Sequence, residues 1–456
     1  MKTGVVILAA GQGTRMKSAL PKVIHDLAGR PLIKHVIDTA KAIEPDKIIV
    51  VHGHGGETVK ETIIDDGLHW VEQAQQLGTG HAVEQALPAL EGVDKVLVLY
   101  GDVPLIKHST LNHLLGLESV LSILTVKLAD PTGYGRIVRD ANGQVLKIVE
   151  HKDASEDELK VDEINTGILA ADFDSLKKWI DKLENNNSQK EFYLTDIISL
   201  AVDEGIDVNS ANPETLSEVT GINDRVQLAE LERLYQKEQA TELMKAGVTI
   251  RDPSRIDIRG EVKIDTDTEI DINVILQGQV TIGKAVKIGA NTVIKDSHIA
   301  DGVTILENCV IENAAIGSNS KLGPFSRIRP GTNLQGENHV GNFVEIKNSD
   351  IGIGSKINHL SYIGDSEVGQ KVNVGAGTIT CNYDGAYKHK TIIGDQAFIG
   401  SNTALVAPVT INQGSTIGAG SVITRETPAD QLTLSRSKQI TINNWQRPVK
   451  QKKDTG

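Results

Sequence analysis

The chain has 456 residues, a formal net charge of −13 and two cysteines, with a pI near 5.5. That length allows two or three domains with large cores, and the acidic balance argues against a nucleic-acid binder. Cys309 and Cys381 lie far apart without a metal-ligand spacing, and no apolar run reaches the length of a membrane span, so a reduced, cytoplasmic compartment is expected.

Residues 1 to about 222 read as α/β units. Buried-strand candidates are Gly4–Ala9, Lys47–Val51, Val96–Tyr100 and Leu121–Val126, with helical stretches such as Ile33–Ile43 and Thr79–Leu87 between them. In such sheets ligands bind beyond the carboxyl ends of the strands. The first strand runs into Leu8-Ala9-Ala10-Gly11-Gln12-Gly13-Thr14-Arg15-Met16, whose two glycines let backbone N–H groups approach a phosphate. The loop lacks the third glycine of a dinucleotide fingerprint and the Gly-Lys-Ser/Thr of a Walker A loop. Arg15 follows at once and Lys22 shortly after in Leu20-Pro21-Lys22, two cations suited to a triphosphate or sugar phosphate.

A later strand ends Leu99-Tyr100-Gly101-Asp102. A carboxylate there is a candidate Mg²⁺ ligand, because hard cations take oxygen, although a lone Asp in this place more often caps a turn. Asn223, in Gly221-Ile222-Asn223-Asp224, offers a second oxygen; both it and Asp224 are also good helix N-caps. From Asp224 to Ala246 the apolar positions Val226, Leu228, Leu231, Leu234, Tyr235 and Leu243 predict a connecting helix that Gly247 terminates.

From Ile258 to about Thr424 the sequence repeats every six residues. Ile258, Ile264, Ile270, Leu276, Ile282, Ile288 and Ile294 open the series. Ile316 to Ile346 and Ile393 to Ile423 continue it, and joins such as Ile294–Ile299, Ile346–Ile351 and Ile363–Val368 are one residue short. Four places after the aliphatic the residue is usually small, as at Ser320, Ser326, Thr332 and Ser421, and glycine often follows it directly. This period predicts a parallel β-helix, three hexads to a coil. Arg329 and Lys347 stand one coil apart on the same face, two cations for an anionic sugar phosphate. His359 and Tyr362 follow near a corner, and Cys381–Lys390 breaks the rhythm and must protrude as a loop. A histidine is a natural general base for an ammonium-bearing substrate.

Leu-Ala-Ala-Gly-x-Gly-Thr-Arg-Met with Pro-Lys, then Tyr-Gly-Asp, resembles the sugar-1-phosphate nucleotidyltransferases. With the hexads behind it, the chain to about residue 440 is similar to a bacterial family of bifunctional enzymes. These join an N-acetylglucosamine-1-phosphate uridyltransferase to a glucosamine-1-phosphate N-acetyltransferase. The resemblance implies a Rossmann-like mixed-sheet domain at 1–226, a linker helix at 227–247, and a left-handed parallel β-helix with its C-terminal tail at 248–456. It implies that Leu8, Ala9, Ala10, Gly11, Lys22, Gln73, Gly78 and Thr79 contact the uridine nucleotide with Arg15 beside them. By the same resemblance Gly135, Glu150 and Asn165 line the sugar, while Asp102 and Asn223 hold Mg²⁺. In the array it implies that His359 is the base, that Arg329, Lys347, Tyr362 and Asn373 bind glucosamine-1-phosphate, and that Ala376, Asn382, Tyr383, Ser401, Ala419 and Arg436 bind acetyl-CoA. Those positions count onto different faces and heights of one prism, so a homotrimer with sites between chains is expected. Two alternatives are a single-reaction nucleotidyltransferase whose β-helix is structural, and an array that serves only as a binding scaffold. The tail from Pro448 has no apolar pattern and is expected to be mobile.

Overall fold

The computed structural model describes residues 1–11, 13–53 and 55–450; most of the tail singled out above, 451–456, lies outside them. The chain divides into two compact units, Met1–Thr241 with Ile258–Gly260, and Glu242–Asp257 with Glu261 onward.

In the first unit, among the described residues, the strands run Val208–Ala211, Leu121–Lys127, Glu163–Asp172, Lys95–Tyr100, Thr3–Ala9, Lys47–His52, Leu68–Glu72 across one sheet. Glu163–Asp172 is antiparallel to both neighbours and carries the hairpin Arg136–Arg139/Val145–Val149; the other pairs on the path are parallel. The apolar run of the first strand is buried on both faces: Val6 and Leu8 join one core cluster, Val5 and Ile7 the other. A strand covered on both sides needs such an unbroken run. From Thr3–Ala9 the chain crosses to Lys47–His52 on one side and later returns to Lys95–Tyr100 on the other. The ends of the first and last of these strands therefore flank a topological switch point, the place where such sheets open a crevice.

The helix Arg225–Lys245 is capped by Asp224, whose Oδ1 accepts the N–H groups of Val226 and Gln227 at 2.9 Å each. It buries Leu231 against Met16, Leu27, Leu32, Leu105 and Ile222, with Leu228 and Tyr235 alongside. Val226 and Leu234 are exposed, so its apolar stripe is narrower than the sequence suggested. Gln236 is buried instead, and its amide bonds to both N–H and C=O of Ile258 at 2.7 Å.

The second unit is a parallel β-helix. Ile270, Ile288, Ile305, Leu322, Val340, Ile357, Val374, Ile399 and Ile417 stand in register down one face. Successive coils are offset by 17 or 18 residues, apart from the one between Val374 and Ile399, which spans 25. The short joins place Asp296, Asn313, Asn348 and Asp365 at φ 45°, 44°, 45° and 48°, a left-handed corner that Asn and Asp tolerate better than other side chains. The hexad aliphatics are buried, apart from Ile264 in the first coil, which is half-exposed. The small residues also point inward: Ser326 Oγ donates to Gly341 O at 2.7 Å and Ser421 Oγ to Gly418 O at 2.6 Å. A Cβ on Gly341 would lie 1.9 Å from Asn358 O, so only glycine lets the next coil approach.

Leu322 is fully buried between Ile305 and Val340. Leu322→Ala is expected to lower stability by about 2–5 kcal/mol, read from the urea midpoint of the β-helix transition; an unchanged midpoint would mean that coil is not packed as described.

Candidate active sites

At the switch point of the first unit lies a cavity of about 560 Å³ lined by Leu8, Ala9, Ala10, Gly11, Lys22, Gln73, Gly78, Thr79 and Asp102, together with Gln76, Tyr100 and Glu191. The two loop glycines differ in role. A Cβ on Gly11 would meet nothing within 4 Å, whereas Gly13 has φ +60° and would press on Lys22 Cβ at 2.7 Å. Gly11 leaves the backbone open to a ligand; Gly13 seats Lys22. Gly78 has φ +114° and lies against Phe192 O, and it opens the helix Thr79–Ala86 toward the cavity.

The candidate phosphate and metal groups converge. Lys22 Nζ donates to Asp102 Oδ2 and, at 3.3 Å, to Asn223 Oδ1, while Arg15 Nη2 reaches the same Asn223 oxygen at 2.9 Å. Asp224 is occupied in capping the helix, which leaves the Asn223 side chain free to face Lys22. Two oxygens turned on one cationic point fit a hard divalent ion that keeps most of its other ligands from water and phosphate.

Gly135, Glu150 and Asn165 form a neighbouring group. Asn165 N–H donates to Gly135 O at 2.9 Å, and a Cβ on Gly135 would lie 3.4 Å from Glu150 Oε1. Thr195 Oγ1 donates to Glu150 Oε1 at 3.1 Å. The half-buried Tyr100 lines the first cavity and feels the charges of both groups. Burial first, and then the charges of Glu150 and Asp102, push its phenol above the usual range. Burial likewise raises Glu150, and burial with the charges of Glu150 and Asp153 pushes Asp196 up to about 6. Glu150, Asp153, Tyr193 and Asp196 line a second cavity of about 300 Å³.

On the β-helix, His359 is exposed and stands in register above Asn342, whose Oδ1 lies 2.8 Å from His359 Nδ1. That oxygen can only accept, so Nδ1 carries a proton, and in the neutral ring Nε2 is the bare nitrogen. Continuing the register gives Ala376, Ser401 and Ala419 as successive residues of the same column. Main-chain bonds from Gly377, Asn402 and Gly420 to His359 O, Ala376 O and Ser401 O tie them together, and Arg436 Nη1 donates to Ala419 O at 3.0 Å. These residues therefore share one face and differ in height along the prism. The coil from Val374 to Ile399 spans 25 residues. The extra length is the protruding loop, in which Asp384 accepts from Ala386 N–H, Tyr387 N–H and His389 Nε2.

Around the corner from His359, Arg329 and Lys347 stack on adjacent coils. Arg329 Nη1 donates to Glu345 Oε1 at 2.6 Å. Lys347 is held below its usual value first by Lys388 and then by Arg329, which makes Lys388 a third cation of the group. Tyr362 OH lies 3.5 Å from Asn382 Nδ2, whose amide also donates to Asp365; Tyr383 is exposed on the loop. Asn373 lies on the His359 face, between Lys356 and Phe398 in register. Among the described residues no hydrogen bond or ion pair joins His359 to Arg329, Lys347 or Asn373. Sequence reading missed Asn342, Lys388, Gln76, Tyr100, Glu191 and Thr195. Asn342 was within its reach, being one 17-residue coil before His359.

Comparison with known proteins gives the class first. The MobA-like NTP transferase domain matches residues 5–126, the GMPPB C-terminal domain residues 258–339, and the bacterial transferase hexapeptide (six repeats) residues 390–425. These define a nucleotidyltransferase joined to a hexapeptide-repeat transferase. The bifunctional protein GlmU of Nitrosospira multiformis is 56% identical over 455 residues, covering 99% of each chain. Those of Ralstonia nicotianae and Methylococcus capsulatus are 55% and 54% identical, covering 99% and 100% of this chain and 99% of their own. The chain belongs to the GlmU family, and it is a bifunctional uridyltransferase and acetyltransferase. The solved structure of a UDP-glucose pyrophosphorylase complexed with UDP-glucose overlaps 52% of this chain and 100% of its own at TM-score 0.44 and 16% identity, too little to weigh.

Asp196 gives a pH test. Its value rises from an ordinary 3.8 to about 6 on folding, so the unfolded chain loses the proton first and stability falls as pH rises through that window. Asp196→Asn is expected to gain stability over the parent between pH 4 and pH 7 in urea titrations; a difference independent of pH would contradict the buried carboxylate.

Proposed function

We propose that the β-helix N-acetylates glucosamine-1-phosphate from acetyl-CoA and that the α/β unit then transfers the uridylyl group of UTP to N-acetylglucosamine-1-phosphate, releasing pyrophosphate. The observation that carries the second assignment is the convergence of Arg15, Lys22, Asp102 and Asn223 beside the cavity at the switch point. A phosphate oxygen of the sugar phosphate attacks the α-phosphorus of UTP, and the bond to pyrophosphate breaks. Such transfers need positioning and charge neutralisation more than a covalent nucleophile. The class generally depends on a divalent metal, and here Asp102 and Asn223 would hold Mg²⁺, which supplies charge neutralisation when bound. Lys22 and Arg15 hold phosphate oxygens, the segment Leu8–Gly11 with Gln73, Gly78 and Thr79 takes the nucleoside, and Gly135, Glu150 and Asn165 take the sugar.

In the acetyl transfer, Asn342 keeps the proton of His359 on Nδ1, so Nε2 can accept one from the substrate's amino group. The amine nitrogen then attacks the thioester carbonyl, the C–S bond breaks, and CoA leaves. Arg329, Lys347 and Lys388 face the sugar phosphate, with Tyr362 and Asn373 on the sugar. The column Ala376, Ser401, Ala419 and Arg436, with Asn382 and Tyr383 at the loop, gives acetyl-CoA an extended track.

Assembly follows from the surface beside this track. Phe325, Phe343 and Leu360, at 50%, 55% and 63% exposure, occupy consecutive left-handed corners, the two rings stacked with centroids 5.4 Å apart. An exposed apolar ladder calls for cover, and a homotrimer whose sites lie between chains supplies it.

His359→Ala is expected to slow CoA release from acetyl-CoA and glucosamine-1-phosphate by about 10²–10⁴-fold while uridylyl transfer stays near parental; Asp102→Ala should do the reverse. Loss of both activities together in either variant would refute the division of labour. Phe343→Asp is expected to yield monomers in sedimentation that retain uridylyl transfer and lose acetyl transfer; an intact trimer would remove the ladder from the interface.

A further inference from the structure

We infer that His81 sets the base selectivity of the α/β unit by fixing the side-chain amide of Gln73 as a pure hydrogen-bond acceptor toward the cavity. The inference rests on the reading that this cavity holds the uridine nucleotide. Gln73 follows the strand Leu68–Glu72, is 3% exposed, and lines the 560 Å³ cavity. Its Nε2 lies 3.0 Å from Gly78 O and 3.0 Å from His81 Nδ1. A carbonyl oxygen only accepts, so the nitrogen end of the amide must face Gly78, and the orientation follows from chemistry.

An amide nitrogen carries two hydrogens. One goes to Gly78 O and the other to His81 Nδ1, which therefore bears no proton; the proton of His81 then sits on Nε2, 3.4 Å from Gln85 Nε2, a contact that requires the half-buried Gln85 amide to turn its oxygen toward the ring. Both donors of Gln73 are consumed inside the protein, and only Oε1 remains for a ligand. Gly78 is itself held in place, since Phe192 O accepts from Gly80 N–H at 2.8 Å and Phe192 N–H donates to Leu77 O at 2.8 Å.

A buried acceptor with no partner is unfavourable, so the ligand must bring a donor. Uracil presents N3–H, whereas the same ring position of cytosine is a bare acceptor that would face Oε1 directly. Thr79 N–H, at the start of the helix Thr79–Ala86 and without an intrahelical acceptor, suits a carbonyl oxygen that flanks N3–H. Gly78 alone engages one amide hydrogen. Without His81 the second is released, and the amide can turn it toward the cavity, where it suits cytosine N3. His81 is thus a positioning residue for base choice that touches no substrate.

The test measures kcat and KM of the full-length protein for UTP and CTP with N-acetylglucosamine-1-phosphate, acetyl transfer by the same chain reporting that it is folded. His81→Leu is expected to lower the UTP-over-CTP ratio of kcat/KM by about tenfold or more, chiefly through KM for UTP. His81→Asn, which can offer an amide oxygen to Gln73, should recover most of that ratio. If the ratio is unchanged in His81→Leu while Gln73→Ala raises KM for UTP, the role of His81 is overturned and the nucleotide cavity stands. Should Gln73→Ala leave KM for UTP unchanged, the cavity reading itself falls, and the inference with it. A drop in kcat for UTP and CTP alike in both His81 variants would mark a merely structural histidine and also overturn it.

Discussion

Parallel strand pairing fixes where chemistry can stand in both units. In the first it brings the carboxyl ends of Thr3–Ala9 and Lys95–Tyr100 side by side, with Gly101 N–H bonded to Leu8 O at 2.9 Å. The glycine loop and Asp102 thereby meet across one crevice. In the second it sets residue above residue at each coil, so that a histidine, three small residues and an arginine contact become a single vertical track. In the β-helix a one-residue slip would turn the aliphatic positions outward.

Lys22 and Arg329 have partners within the chain, and that of Arg329 is the exposed one. Lys22 is shared by Asp102 and Asn223, and Arg329 leans on Glu345 at the surface. Exposed ion pairs contribute little, about 0–1 kcal/mol, so a phosphate can displace Glu345 from Arg329 with little loss. The more buried carboxylates behave differently. Glu150 and Asp196 are raised mainly by burial, so each holds a charge less readily than an exposed carboxylate.

Much of this was legible in the sequence because parallel stacking demands repetition. The hexad aliphatics, the inward serines and the Arg329–Lys347 pair follow from period alone, and Ile264 departs only because it belongs to the first coil. The loop glycines and Lys22 were legible because a strand end followed by glycines and cations has few other uses. What failed did so for local reasons. The alignment of Ala376, Ser401 and Ala419 above His359 crosses a coil of 25 residues, which the six-residue count alone does not bridge. Asn223 and Asp224 could not be told apart until the cap was seen to belong to Asp224. Lys388 and His81 act through side chains folded back on their neighbours, which no spacing records.

The central claim is that two separate sites on one chain carry the two reactions. A saturating, non-hydrolysable analogue of acetyl-CoA, added to the full-length protein while both reactions are followed from their own substrates, tests it most directly. The account predicts that acetylation of glucosamine-1-phosphate stops while pyrophosphate release from UTP and N-acetylglucosamine-1-phosphate continues at its uninhibited rate. Inhibition of both in proportion would contradict it.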